Sequence, residues 1–313
     1  MSTFSIIIPV YRNQETVEPL FRALKDVLSH TNGQHDAHFI FVNDGSDDDS
    51  LTVLEKLCAQ NPGITVLSLS RNFGQVPAIL AGLDHASGDG ILIMSADLQD
   101  PVDLIPKMIA AWESGAEVVV AHRRTRNDPF ADKAASRFFY RLMRFSNLKL
   151  PDGGFDFVLL DQKAHQALKM IKGRNRFLQG DILWIGFDTR YIPYDREARK
   201  TGKSQWKLGR KLKYFIDGVL STSYWPIRLM SFIGLLTALS SFAYVLIIVY
   251  MRLMHQTPFN GWAPIMVIML FLGGMVMIML GVIGEYVWRI FDEVRGRPDY
   301  IVKDLKQSKN EDA

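Results

Sequence analysis

The sequence predicts an α/β domain with a mostly parallel sheet, followed by a C-terminal two-helix transmembrane hairpin. Three observations carry this expectation. Short apolar, β-branched runs alternate with helical stretches in the N-terminal part, as in sheets covered on both faces. Polar clusters follow each early strand, where ligands of such sheets bind. Two long charge-free runs lie beyond Leu229.

Phe4 to Val10, Phe39 to Asn43, Ile64 to Ser70, Ile91 to Ser95 and Val118 to Ala121 read as buried strands. Val17 to Leu28, Ser50 to Gln60, Val76 to Ala86 and Leu104 to Trp112 read as the helices between them. The clusters after the strands are Tyr11-Arg12-Asn13, Asn43-Asp44-Gly45-Ser46, Arg71-Asn72-Phe73-Gly74 and Asp97-Leu98-Gln99-Asp100. No Gly-x-Gly-x-x-Gly follows the first strand and no Walker-type Gly-x-x-x-x-Gly-Lys-Ser/Thr loop is present, which argues against a standard dinucleotide site and a P-loop ATPase.

Leu229 to Met251, about 23 residues, carries no charge and is long enough to cross a bilayer as a helix. A second charge-free stretch runs from Gln256 to Gly284, apolar from Trp262 onward, with Pro264 near the helix start, where it is tolerated. Few polar residues interrupt either run, which favours the membrane over two buried core helices. Trp225, Tyr250, Trp262, Tyr286 and Trp288 sit at the run ends, where aromatic belts form. The loop between the runs is poor in Lys and Arg, whereas both outer flanks are basic, so the positive-inside rule puts both termini in the cytoplasm. The segment 207–226 mixes apolar and basic residues at near-helical spacing, as in an interfacial helix on anionic lipid. The expected organisation is a cytosolic domain over 1–206, a juxtamembrane helix over 207–226, two spans within 227–288 and a cytosolic tail over 289–313, polar after Lys306. The chain has 313 residues with a formal net charge of +3, and its one cysteine, Cys58, excludes an internal disulfide and fits a reducing compartment. Met1 to Val10 lacks a basic start and meets Pro9 early, unlike a signal peptide.

Asp44, at a strand end before Gly45, can accept hydrogen bonds from a base edge or ribose hydroxyls, or serve as a loop cap. Asp97 and Gln99, two apart in an extended segment, would project to one side as hard oxygen ligands for Mg²⁺ or Mn²⁺. A cation there would neutralise charge developing on a departing nucleotide diphosphate. Asp100-Pro101 also reads as a helix N-cap and first helical residue.

Ile8-Pro9-Val10-Tyr11, Asn43-Asp44-Gly45-Ser46, Arg71-Asn72-Phe73-Gly74, Ser95-Ala96-Asp97-Leu98-Gln99-Asp100-Pro101 and Arg199-x-x-Gly202-x-Ser204-x-Trp206 occur in that order. Together they resemble the polyprenyl-phosphate branch of the family 2 glycosyltransferases, which includes dolichol-phosphate mannose synthases and bactoprenol glucosyl transferases. The resemblance covers nearly the whole chain, the two-span tail included. It implies a GT-A, Rossmann-like nucleotide-sugar domain and transfer of a sugar, with inversion, onto undecaprenyl or another polyprenyl phosphate at the inner (cytoplasmic) membrane. Glucose from UDP-glucose is the favoured donor. N-acetylglucosamine, galactose and GDP-mannose stay open, and a catalytically inactive nucleotide-sugar-binding scaffold is the reading from another class.

By the same resemblance, Pro9, Tyr11, Asp44 and Asn72 belong to the nucleotide-sugar pocket, and Asp97 and Gln99 to the metal and diphosphate site holding Mg²⁺ or Mn²⁺. Asp156 matches the position proposed as catalytic base, with an orienting or structural turn role as the alternative. Arg123, Arg137, Arg199, Lys203 and Ser204 fall near the acceptor phosphate. The implied partners are a nucleotide sugar, a lipid phosphate and the membrane, with a homo-oligomer (a tetramer among the options) and no nucleic acid. Three departures stand out. Ser95 replaces the first aspartate of Asp-x-Asp. Tyr11-Arg12-Asn13 replaces Tyr-Asn-Glu, leaving Glu15 as substitute. Phe157-Val158-Leu159 replaces Phe-Arg-Leu, so its guanidinium must come from Arg123, Arg124 or Arg137.

Overall fold

The computed structural model describes residues 2–31, 35–123, 150–151, 154–173, 176–195, 225–254 and 263–308. Arg124, Arg137, Arg199, Lys203, Ser204, Trp262 and most of the expected juxtamembrane helix lie outside them. The chain divides into two compact units, Met1–Thr222 with Pro298–Ala313, and Ser223–Arg297.

The first unit is built on β1 (Ser2–Val10), β2 (His35–Asn43), β3 (Ile64–Leu69), β4 (Gly90–Ile93), β5 (Val118–Arg123), β6 (Phe157–Asp161), β7 (Thr189–Tyr194) and β8 (Val302–Gln307). They form one 8-stranded sheet in the order β7-β5-β6-β4-β1-β2-β3-β8. The centre, β4-β1-β2-β3, is parallel. Antiparallel β6 separates β4 from β5, and β7 pairs parallel with β5. The helices are α1 (Val17–His30), α2 (Ser50–Gln60), α3 (Gln75–His85), α4 (Ile105–Glu113), α5 (Gln162–Met170) and α6 (Leu178–Trp184). The expected mostly parallel, GT-A-like sheet is therefore present.

Both faces of the sheet are covered, which is why its strands read as continuous apolar runs. Ile6, Ile8 and Val10 of β1 join Leu20 and Leu24 of α1 and Leu54 of α2 in one core cluster. Ile7 points the other way, into a second cluster with Ala78 and Ala81 of α3 and Ala164 and Leu168 of α5. This is the two-residue period of a strand expressed as two cores.

The chain order reverses between β1 and β4, which places a switch-point crevice at the carboxyl ends of those strands. The Met94 N–H donates to the Ile7 carbonyl at 3.1 Å, so odd positions of β1 face β4. The β4 pairing ends at Ile7↔Ile93. Pro9 falls one step beyond it, where its missing N–H costs no ladder bond.

The second unit holds α7 (Trp225–Leu253) and α8 (Ala263–Val294). Leu229–Met251 and Phe271–Val294 have mean hydropathies of 2.3 and 1.7 and are long and apolar enough to cross a membrane. The Thr237 hydroxyl is satisfied within its own helix by the Ile233 carbonyl at 2.9 Å. Beyond Gly284 the helix continues, with Glu285 and Arg289 paired one turn apart at 3.1 Å.

After α8 the chain returns to the first unit. Strand β8 pairs antiparallel with β3, with a register shift at Ser68/Leu69. Its edge position leaves most of its side chains exposed, so Val302-Lys303-Asp304-Leu305-Lys306-Gln307 has no buried-strand signature, and the sequence reading leaves it in the tail.

Candidate active site

Four loops at the carboxyl edge of the sheet carry Tyr11, Glu15, Asp44, Asn72, Asp97 and Gln99, and the structure ties these loops together. The loop after β1 turns through Arg12, at φ 55°. The Arg12 N–H donates to the Ser46 hydroxyl at 3.2 Å, and its guanidinium grips Asp47 through Nε at 2.6 Å and Nη2 at 2.5 Å. The Asn13 N–H donates to Ser50 at 2.9 Å. Arg12 lies 5.3 Å from the centre of the Tyr11 ring. The arginine that departs from the family pattern thus joins the β1 and β2 loops. Glu15 is exposed just before α1.

Asp44 is 3% exposed. Its two carboxylate oxygens accept the N–H groups of Phe73 at 2.7 Å and Gly74 at 2.9 Å. Burial pushes its pKa up to about 6, against the opposing pull of those two amides. The loop-cap reading of Asp44 is therefore realised: it clamps the loop after β3, where exposed Asn72 and the Arg71–Phe73 cation–π pair (4.7 Å) sit. Gly45, at φ +60°, makes this clamp possible, because a Cβ there would fall 2.6 Å from the Asn72 nitrogen and closer still to the Arg71 backbone. Gly45→Ala is expected to push the two loops apart at a cost of about 1–3 kcal/mol, read as a lower thermal unfolding midpoint.

The buried Thr16 hydroxyl donates to the Ala96 carbonyl at 2.6 Å, fastening the start of α1 to the loop after β4. In that loop Leu98 has φ 56°, and the Gln99 N–H donates to Asp97 Oδ1 at 3.2 Å. Asp97 and Gln99 are thus presented by a tight turn rather than by the extended segment expected, and both are partly exposed. The helix that follows starts as a 3₁₀ turn at Val102–Leu104 without a side-chain cap, and Asp100 accepts the Tyr194 hydroxyl at 2.5 Å. The N-cap expected of Asp100 is therefore corrected to a buried tie with β7.

Asp156 precedes β6, and its side chain is 38% exposed. Arg123 Nη2 lies 3.4 Å from its Oδ2. The Gln179 amide lies 3.3 Å from its Oδ1 and donates to the Phe155 carbonyl at 2.6 Å. Burial works against the Arg123 cation, but the charge of Asp156, supported by Tyr194 and Asp100, outweighs it and raises its pKa. Arg123, placed by sequence beside the acceptor phosphate, thus faces Asp156. Sequence reasoning missed Tyr194 and Gln179: β7 carries Pro193, which obscures it as a strand, and α6 is short.

Among the described residues no group of three or more His, Cys, Asp or Glu gathers as a metal site. The donors at Asp97 and Gln99 still suit a hard cation, since Mg²⁺ is commonly held by one or two carboxylates together with substrate phosphates.

The model of glycosyl transferase family 2 matches residues 5–169. The chain is 37% identical over 302 residues to the uncharacterized glycosyltransferase YkcC of Bacillus subtilis (strain 168), covering 96% of this chain and 93% of that one. It is 34% identical over 305 residues to the bactoprenol glucosyl transferase of Shigella phage SfV, covering 97% and 99%. Glucosyl-3-phosphoglycerate synthase from Mycobacterium tuberculosis, solved with UDP, is similar in fold, with a TM-score of 0.50 at 16% identity over 69% of this chain and 80% of that one.

Proposed function

The chain belongs to glycosyl transferase family 2, and from that membership we propose that it transfers a hexose from a nucleotide-diphosphate sugar to a polyprenyl phosphate at the cytoplasmic membrane face. One observation carries the reading most: the similarity to a bactoprenol glucosyl transferase spans 97% of this chain, both membrane-length helices included. UDP-glucose and undecaprenyl phosphate are the proposed substrates, and later modification of a cell-envelope glycan such as O-antigen is the proposed use. A homo-oligomer is the proposed assembly.

Pro9 of β1, with Tyr11, Asp44 and Asn72 of loops fastened to one another, would line the nucleotide site, joined by exposed Glu15 from just before α1. Asp97 and Gln99 would hold Mg²⁺ or Mn²⁺, which when bound offsets charge on the leaving diphosphate. A lipid phosphate oxygen attacks the anomeric carbon, the bond to the diphosphate oxygen breaks with its electron pair, and the configuration inverts. By analogy with other phosphomonoesters, whose second pKa is about 6, the acceptor is already mostly anionic at neutral pH. Asp156, held by Arg123 and Gln179, then serves chiefly to orient. Asp156→Asn is accordingly expected to lower kcat less than about tenfold, because a general base contributes about 10²–10⁴-fold. A loss in that larger range in a steady-state assay would assign proton transfer to it.

Both termini are proposed to be cytoplasmic. The basic outer flanks support the side, and the pairing of β8 with β3 supports a shared side, because the segments before α7 and after α8 enter one folded unit. A chain that leaves a compartment and returns to it crosses the bilayer an even number of times. Arg137, Arg199, Lys203 and Ser204 are proposed to meet the lipid phosphate, with guanidinium groups suited to its oxygens.

The raised pKa of Asp44 has a consequence for donor binding. The carboxyl is half ionised near pH 6. If it accepts a base N–H, affinity for UDP-glucose is flat above neutrality and falls below pH 6, reaching about tenfold weaker at pH 5. UDP-glucose is a diester without a proton of its own in this window, so calorimetry at pH 5 and 7.5 reads the protein group. The donor itself is tested with labelled UDP-glucose, UDP-N-acetylglucosamine, UDP-galactose and GDP-mannose offered to purified protein with undecaprenyl phosphate. Label entering the organic phase from UDP-glucose is expected, and entry only from another donor overturns the sugar assignment.

A further inference from the structure

We infer that Tyr194, anchored on Asp100, is a positioning residue that acts through Arg123 on the orientation of Asp156, a role that rests on the reaction proposed above. Tyr194 ends β7 and is 5% exposed, while Asp100 is 3% exposed. The sheet order is β7-β5-β6-β4 at this edge. The loop after β4 therefore reaches past the ends of β6 and β5 to meet β7, and the 2.5 Å bond from the Tyr194 hydroxyl to Asp100 Oδ1 is where it is anchored.

Arg123 is the register partner of Tyr194 across β5 and β7, and its positive charge acts on the same hydroxyl, pulling against the rise that burial causes. A phenol has one proton to give, an ionised carboxylate only accepts and a guanidinium only donates. The phenol proton therefore goes to Asp100, and the neighbouring guanidinium, a donor only, can meet the hydroxyl only at its oxygen. Burial, then the neighbouring Asp100 charge, raises the Tyr194 pKa, so the proton stays in place. At its other end Arg123 lies 3.4 Å from Asp156. One hydroxyl thus links the turn that presents Asp97 and Gln99 to the guanidinium that orients Asp156. A phenylalanine keeps the packing, removes that link and takes from buried Asp100 the hydroxyl it accepts.

The test uses the full chain in detergent with Mn²⁺, UDP-glucose and undecaprenyl phosphate. Tyr194→Phe is expected to lower kcat about tenfold with KM for UDP-glucose within about twofold of wild type, since Asp44 and Tyr11 are not touched. Asp156→Ala alone is expected to lower kcat about 10²-fold, and adding Tyr194→Phe to it should cost less than about twofold more, because the residue it acts through is gone. A residue with only a general structural role would multiply its loss in both backgrounds. If Tyr194→Phe does not fold, Arg123→Met breaks the same link from the other side and should lose its effect equally in the Asp156→Ala background. Wild-type kcat in Tyr194→Phe, a multiplicative double variant, or a loss seen in donor KM instead of kcat overturns the inference. If the wild-type protein moves no sugar to the lipid, the proposed reaction fails first and this role falls with it.

Discussion

Asp97→Ala is expected to lower the rate of sugar transfer by about 10³-fold, the scale of removing a principal electrostatic stabiliser from an active site. Ser95 leaves a single carboxylate at positions 95, 97 and 99. Among the described residues no group of three or more His, Cys, Asp or Glu gathers to replace it. Gln99, a neutral ligand, is expected to matter less, with a fall of about tenfold on change to alanine. Asp97 is only partly buried, so the thermal midpoint of Asp97→Ala should stay near that of the wild type, separating lost chemistry from lost fold. Initial rates at saturating UDP-glucose and Mn²⁺ make the comparison. A loss below about tenfold would take Asp97 out of the diphosphate site.

A chain ended after Arg297 is expected to lose on the order of 4 kcal/mol of stability in the first unit, from several ladder bonds worth about 1 kcal/mol each. Every residue of β3 is buried, and β8 covers its open edge over Thr65 to Leu69. The truncation also removes the Tyr300–Asp84 hydrogen bond at 2.6 Å and the Ser308–Ile64 bond at 2.9 Å. The exposed Lys306–Glu55 pair adds little. A bare, flat β3 edge invites pairing with another chain. The expected readouts are a lower unfolding midpoint in detergent and a shift to aggregate on size exclusion. An unchanged midpoint would mean that β8 only decorates the sheet.

The sequence makes the parallel half of the molecule legible because its strands are buried on both faces and its helices keep their period. Phe4 to Val10 and Ile64 to Ser70 needed no tertiary knowledge. The other half is harder for physical reasons. β7 is an edge strand containing Pro193, and β8 faces solvent on most of its residues, so neither shows a core pattern. The site divides in the same way. Asp44, Asp97 and Gln99 announce themselves by following strands. Their hydrogen-bond partners do not, because the Phe73 and Gly74 amides are backbone groups and Tyr194 reaches Asp100 from 94 residues away. Leu98 at positive φ is equally invisible, since leucine carries no sign of a left-handed turn. Arg123 was legible as a useful guanidinium, but its pairing with Asp156 depends on β5 and β6 lying side by side.

The most direct test of the account measures label from UDP-glucose entering the organic phase with purified full-length protein, with and without undecaprenyl phosphate, and with chelator followed by Mn²⁺. The account predicts a lipid-linked sugar that appears only with the lipid phosphate, vanishes in chelator and returns with the metal. Transfer at undiminished rate in chelator, or label that never leaves the aqueous phase whatever the acceptor, would contradict it.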